Sequence, residues 1–268
     1  MTQTTTWVAD EYVKVNSPHV KTALAALALV GDSLERGGTF AEVGCGAGEI
    51  ARTFAERGFE VWASDASPSM VETTRSQCAG LPVRAEVRRV EELALPEGQF
   101  DVVHSSWVLH WVSEAEEPLR RLARALRPGG HLVLQWTGAQ PRDEGPGLFG
   151  ILRRIAEEPQ WRELFAAVPP AMRDYPADLV AEVLTGAGLE LVHYVPELPH
   201  PFSRKNGEPL TPEELAEMRV RFKRTWFASQ TELLGDRVDE FLDEALGALV
   251  AAGRTDPHHA RIVARRPL

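Results

Sequence analysis

The chain has 268 residues, 44% of them apolar and 25% charged, a balance that supports a folded core and argues against disorder. Its 39 acidic and 29 basic side chains leave a formal charge of −10, a field that repels polyanions, so a small-molecule partner is expected and nucleic acid is not. Two cysteines, Cys45 and Cys78, are too few for a disulfide framework or a metal cluster, and no window approaches a membrane span or an export signal, so the expectations are no metal, no membrane and a cytoplasmic location.

In chain order, "SPHVKTALAALALVGDSLERGG" reads as a first helix, with Ser17 as N-cap, Pro18 at the first helical position and a glycine pair as its stop. Short β-type runs then alternate with amphipathic helices. "TFAEVG" precedes a helix from Ala47 to about Arg57, "EVWASD" precedes one from Pro68 to about Cys78, and "PVRAEVRR" and "FDVVHS" follow. Such a series implies a parallel sheet with right-handed crossovers. "SEAEEPLRRLARALRPGG" reads as a helix capped by Ser113 and ended by Pro-Gly-Gly, before a fifth strand, "HLVLQW".

The alternation stops at Gly138. The reading is a half covering residues 1–137, a helical cap inserted at 138–175, and a remainder, 176–268, that returns to the sheet but makes a second helical excursion at about 203–253. The remainder holds the helix "PADLVAEVLTGAG", a strand from about Glu190 to Val195, and a last strand, "HHARIVARR". The second excursion opens on the capping arrangement of Thr211, Pro212, Glu213 and Glu214.

"FAEVGCGAGEIA" holds the informative turn. A dinucleotide fingerprint requires Gly-x-Gly-x-x-Gly around a pyrophosphate. Here Glu49 stands where the third glycine belongs and Glu42 precedes the turn, so two carboxylates would repel a phosphate yet suit an ammonium or sulfonium. Asp65 ends the second strand, 21 residues beyond Gly44, where an acid reaches a ribose diol. An adenosine joined to a charged amino-acid tail satisfies both observations.

The run Glu42, Gly44, Gly46, Gly48 resembles the first motif of the class I S-adenosylmethionine-dependent methyltransferases, acid-x-Gly-x-Gly-x-Gly. "SDASPSMVE", "VEELALPEGQFDVVHSSWVLHWV" and "ALRPGGHLVL" are similar to that family's later motifs, and the likeness covers residues 35 to 137. It implies a Rossmann-like seven-stranded, mostly parallel sheet with helices on both faces and a helical cap or lid built from the insertions. It also implies S-adenosylmethionine as cofactor and S-adenosylhomocysteine as product. In its terms Glu42, Gly44, Cys45, Gly46 and Gly48 form the cofactor turn, Asp65 serves the ribose, and Ala66 and Met70 flank the adenine, although Met70 also reads as core packing. Ser105 adjoins the methionine half, and Tyr12 folds over the cofactor. The family often places an acid where Arg89 stands, so the adenine falls to the backbone of Val90 and Glu91 or to the Glu91 carboxylate.

The implied activity is methyl transfer to a small-molecule acceptor, at oxygen, nitrogen or carbon, in a biosynthetic setting. "LHWV" and the helical tail are similar to the trans-aconitate and malonyl-carrier branch. His110 is the candidate general base, with a packed histidine as the alternative, and Tyr175 stands second. Trp107 and Trp111, four apart, either wall a pocket from one helical face or belong to the core. His193, His200, His258 and His259 read as surface or strand residues. Two other functions fit the same fold: a non-methylating enzyme that retains the cofactor, such as a cyclase or a carboxylated-cofactor enzyme, and a non-catalytic binding protein.

Overall fold

The structure, a computed structural model, describes residues 17–34, 37–139, 145–200, 210–223, 227–255 and 258–268. Tyr12 lies outside the described residues. Among them, β1 (Gly38–Val43), β2 (Phe59–Asp65), β3 (Val83–Val87), β4 (Phe100–Ser106), β5 (Leu126–Thr137), β6 (Glu190–Pro199) and β7 (His258–Arg265) form one sheet in the order β3-β2-β1-β4-β5-β7-β6. The first five strands pair in parallel, and β7 lies antiparallel between β5 and β6. This is the expected Rossmann-like, mostly parallel sheet. The order reverses at β1, so β1 and β4 diverge there and their carboxyl ends frame the crevice where such sheets hold ligands.

Both faces of the sheet are covered. One carries α1 (Ser17–Leu27) and α2 (Glu49–Glu56), whose Leu27, Phe54 and Ala51 pack with Phe40, Val102, Val133 and Val263 from the strands; α3 (Pro68–Gln77) lies beside α2. The other carries α4 (Glu116–Ala125) and α7 (Ala177–Gly186), whose Leu119, Leu122, Val180 and Leu184 meet Leu132, Leu134, Trp136 and Ile262. Residues two apart on each strand face the same layer, so β5 sends Leu132, Leu134 and Trp136 one way and Val133 the other. No helix among the described residues is long and apolar enough to cross a membrane.

The two excursions converge. α5 (Leu148–Ala156) and α6 (Arg162–Ala167) from the first pack with α8 (Pro212–Arg221), α9 (Ala228–Leu234) and α10 (Val238–Ala251) from the second, around Phe149, Trp161, Phe165, Phe222 and Phe241. Thr211 caps α8 in a full capping box with Glu214, as its sequence indicated. Asp174 braces this layer from within: its carboxylate accepts the backbone N–H of Phe149 (3.3 Å) and of Gly150 (2.7 Å) at the start of α5. The next residue, Tyr175, accepts the Trp136 indole N–H through its carbonyl at 2.7 Å, while its own N–H donates to Gly138 at 2.7 Å.

Several local expectations change. Ser17 is the first residue of α1 and not its cap, and α1 ends at Leu27, because Gly31 (φ 67°) breaks the following 3-10 segment, Ala28–Leu34, before the glycine pair is reached. α2 begins at Glu49, two residues later than expected, since Gly48 is held in the left-handed region. Ser113 caps no helix: α4 starts at Glu116, and the Ser113 hydroxyl donates instead to Glu91 Oε1 at 3.4 Å. Pro-Gly-Gly lies inside β5, which begins directly after α4.

Candidate active site

The turn after β1 is built from left-handed residues. Gly44, Gly46 and Gly48 have φ of 79°, 53° and 94°, a region that L side chains enter at a steric cost. The N–H groups of Gly44 and Cys45 donate to the Ser64 carbonyl at 2.8 and 2.9 Å, which lashes the turn to β2. A Cβ on Gly44 would lie 2.0 Å from Val108 Cγ2, and one on Gly48 would lie 2.9 Å from Thr74 on α3. Gly48 thus supplies the close helix approach that a dinucleotide fold assigns to its third glycine, one position earlier. Cys45 is buried with its Sγ 3.5 Å from Thr74 Oγ1, and burial together with Glu42 and Asp65 pushes its thiol well up. It is a packed thiol, and only its backbone belongs to the turn's surface.

Asp65 closes the loop from the far side. Its Oδ2 accepts the Gly46 N–H at 3.0 Å and its Oδ1 accepts the Ser67 N–H at 2.8 Å. Burial raises its pKa while these N–H donors oppose the rise. Two of its roughly four lone-pair sites are thereby used, leaving an acceptor on each oxygen for a diol. Ala66 is exposed beside it and Met70 is buried on the first turn of α3. At the end of β3, Val90 and Glu91 lie in a short 3-10 turn. The Glu91 carboxylate is held by Arg89 at 3.3 Å and by Ser113, and its carbonyl by Arg121 at 2.8 Å.

Glu42 and His104 are direct cross-strand neighbours on β1 and β4. Both are buried, with His104 Nδ1 3.8 Å from Glu42 Oε1, while His104 Nε2 meets the Ser106 hydroxyl at 2.7 Å and Glu42 Oε2 has no hydrogen-bond partner. Burial, Glu49 and Asp65 raise the Glu42 pKa well above the usual range, and burial holds His104 down to about 3. Burial thus disfavours the charged form of both groups, and a cation beside the turn would favour ionised Glu42. Ser105, on the opposite face of β4, donates to the Val43 carbonyl at 2.9 Å, directly before the turn.

His110 lies in a 3-10 turn, Leu109–Trp111, after β4. It is 4% exposed and its ring parallels Phe149 of the cap at 6.0 Å. Its Nδ1 has no hydrogen-bond partner, and its carbonyl accepts the Arg173 N–H at 2.9 Å. Burial, reinforced by His19, holds the ring down to about 3, so it is neutral at physiological pH. Tyr175 is no base: its hydroxyl donates to the carbonyls of Val112 (2.8 Å) and Ser113 (3.1 Å), and burial pushes it up to about 12. Trp107 and Trp111 do not share a helical face, because Trp107 follows β4 with φ 64° and only Trp111 is in the 3-10 turn. Trp107 instead stacks near His19 (4.6 Å), His200 (5.0 Å) and His259 (5.1 Å). His259, expected as a surface or strand residue, is in a strand but only 3% exposed.

Glycine turn, acid at the next strand end and buried pair at the switch point define a class of fold. Residues 41–134 match the methyltransferase domain family. A malonyl-acyl-carrier-protein O-methyltransferase of Enterobacter lignolyticus (strain SCF1) is 36% identical over 119 residues, covering 44% of this chain and 45% of that protein. The chain spans less than half the length of the curated relatives it matches. Among solved structures, the 4+2 cyclase SpnF aligns with a TM-score of 0.60 at 21% identity, over 91% of this chain and 80% of that one. An S-adenosylmethionine-dependent methyltransferase from Mesorhizobium loti aligns at 0.55 and 19% identity, over 93% and 98%. Residues 41–134 match the methyltransferase domain model, and the chain shares the Rossmann-like fold of these solved structures.

The buried histidines give the fold a pH signature. His19, His104, His110 and His259 are held down to about 4, 3, 3 and 4. Each is protonated in the unfolded chain below pH about 6.5 but stays neutral in the folded one, so stability is full above that pH and is lost as pH falls toward 4. Glu42 and Asp65, whose pKa values are raised, act in the opposite sense. The histidine contribution should lower the urea midpoint between pH 7.5 and pH 5, and His104→Gln, which removes one of the four, should make that fall smaller.

Proposed function

We propose that the chain binds S-adenosylmethionine at the Gly44–Gly48 turn and transfers its methyl group to a small-molecule acceptor. The observation that carries this reading is the left-handed glycine turn braced by the Asp65 carboxylate, with Glu42 and Glu49 rather than phosphate-binding groups beside it. The residues fit the cofactor: Asp65 offers its carboxylate to a ribose diol, and Glu42 Oε2 is a buried acceptor without a hydrogen-bond partner. The engagement of the Glu91 carboxylate by Arg89 and Ser113 favours the backbone of Val90 and Glu91 for the adenine. Ala66 and Met70 would flank the ring, Ser105 would adjoin the methionine half, and Tyr12 would close over it. Two free, buried cysteines and a small-molecule substrate accord with a cytoplasmic biosynthetic role.

When bound, the cofactor supplies an electrophilic methyl carbon. The protein's part is alignment of the acceptor for in-line displacement and exclusion of water, which proximity alone makes worth several kcal/mol, about 7 in favourable cases. The shared core of the two excursions, held to the sheet through Tyr175 and Trp136, suits a lid. In this reading His110, at the junction of sheet and lid, takes the proton from an oxygen or nitrogen acceptor. Incubation with methyl-labelled cofactor and a small-molecule extract of the source organism tests the reading. Labelled product with stoichiometric S-adenosylhomocysteine is expected. Cofactor binding without S-adenosylhomocysteine release would mark a cofactor-retaining enzyme such as a cyclase, and absence of binding a non-catalytic protein.

Asp65→Asn should weaken S-adenosylhomocysteine by about 10- to 100-fold in calorimetry, the loss of charge-assisted bonds worth about 1.5 to 3 kcal/mol. Thermal unfolding should fall modestly without loss of cooperativity, because the amide oxygen still meets one of the two N–H donors and leaves the other unpaired. His110→Ala should lower turnover by about 100-fold or more with cofactor affinity unchanged. Since burial holds His110 down to about 3, its limb in the rate profile should lie below the working range. Turnover should therefore be flat with pH from mildly acidic to neutral, apart from ionisation of the acceptor.

A further inference from the structure

On the α1 face of the sheet, past the glycine turn, the strands stop presenting apolar side chains. Gln135 on β5 is directly opposite Arg261 on β7, and Thr137 is opposite His259, so Gln135, Arg261 and His259 share a face with cross-strand side chains about 5 Å apart. Trp107 joins them: its N–H donates to the Gln135 carbonyl at 2.8 Å and its ring centroid is 5.1 Å from that of His259. Its left-handed backbone is the sole non-glycine case among the described residues, and such strain gathers at ligand sites.

The polar atoms here are buried and unmatched. Gln135 is 1% exposed, yet neither its Oε1 nor its Nε2 has a hydrogen-bond partner; the same holds for Trp107 Nε1 and Arg261 Nε. Buried polar groups are seldom left so, each costing about 1 to 3 kcal/mol. Among the described residues no acid pairs with Arg261, whose pKa burial alone lowers, while burial, Arg261 and His19 all press His259 downward. In a chain of net charge −10, a half-buried guanidinium whose Nε is buried and unpaired, beside three further unmatched polar atoms, points to an anion supplied from outside. One fixed charge with two N–H donors suits a planar monoanion, and the Gln135 Oε1 adds one acceptor for an adjoining hydroxyl.

Resting on the methyl-transfer reading, we propose that Gln135, Arg261 and the Trp107 indole, walled by His259, bind the carboxylate of the methyl acceptor and so select hydroxy acids and related carboxylates. Position agrees with this role. β5 is two strands from β1, about 10 Å at the usual strand spacing of about 4.8 Å, so a small acceptor anchored here extends toward the turn, under α1 on one side.

The test compares 2-hydroxyhexanoate with 2-hydroxyhexanamide by calorimetry on the full chain, with and without S-adenosylhomocysteine. The acid should bind at least about ten-fold tighter than the amide. Arg261→Gln should erase that preference without altering S-adenosylhomocysteine affinity, and Arg261→Lys should keep part of it. Gln135→Glu, which supplies Arg261 with an internal carboxylate, should abolish binding of the acid; it carries the test should Arg261→Gln not fold. Equal affinity for acid and amide, no binding of either at millimolar concentration, or a preference that survives both Arg261→Gln and Gln135→Glu would overturn the proposal. A chain that prefers the acid but fails to bind S-adenosylhomocysteine would remove the methyl-transfer reading and leave the carboxylate site standing.

Discussion

The hydrogen bond from the Gly46 N–H to Asp65 Oδ2 is the contact on which the rest is arranged. β1 must deliver the chain into α2 within five residues, and only glycine takes three left-handed positions in that space without steric penalty. A backbone bent this way leaves N–H groups inside the bend, and a buried N–H without a partner is costly. The Asp65 carboxylate and the Ser64 carbonyl, both from the end of β2, satisfy them. The first two strands, α2 and α3 are thus fixed in one unit, and Val108 closes over Gly44 from β4. The turn that admits a ligand is also the turn that sets the spacing of the sheet's switch point.

A second consequence concerns the two faces of the sheet. The α4 and α7 face is apolar along its length, with Leu132, Leu134, Trp136 and Ile262 buried together. The α1 face is apolar only toward the amino ends of the strands, through Phe40, Val102, Val133 and Val263. Toward the carboxyl ends it carries Glu42, His104, Gln135 and His259, all buried. Burial of such groups disfavours their charged forms, which is why the histidines stay neutral and Glu42 is pushed up. Apolar packing elsewhere must offset this cost, and the gain is a set of prearranged polar atoms at the edge where ligands meet the sheet.

Among the described residues the cap meets the sheet at Tyr175, whose carbonyl accepts the Trp136 indole N–H, and is braced from within by Asp174. Asp174 supplies acceptors to the exposed N–H groups at the start of α5, and glycines at 138, 147 and 150 allow its carboxylate to approach, since a Cβ on any of them would fall within about 3 Å of it or its neighbours. His110 stands where this layer meets β4, its ring against Phe149 and its carbonyl bonded to Arg173. Movement of the cap would therefore be felt first at His110.

What the sequence determined by itself was local. Alternating periodicity and glycine or proline punctuation gave the strands, α2, α3 and α7, and the spacing of Glu42, Gly44, Gly46, Gly48 and Asp65 gave the turn and its ligand class, because these features are encoded within a few dozen residues. Helix starts at Ser17 and Ser113 were misread because a serine beside a helix caps it only if its side chain meets the helix N–H groups, and Ser113 meets Glu91 instead. Tyr175 looked available as a base until its hydroxyl proved bonded to two backbone carbonyls. His259 and Gln135 carried no motif, each being one polar residue among others on strands that lie 124 positions apart in the chain. Only the antiparallel insertion of β7 beside β5 brings them onto one buried face with Arg261 and Trp107. Strand order is decided by contacts between residues distant in the chain, and the acceptor pocket, unlike the cofactor turn, is made entirely from them.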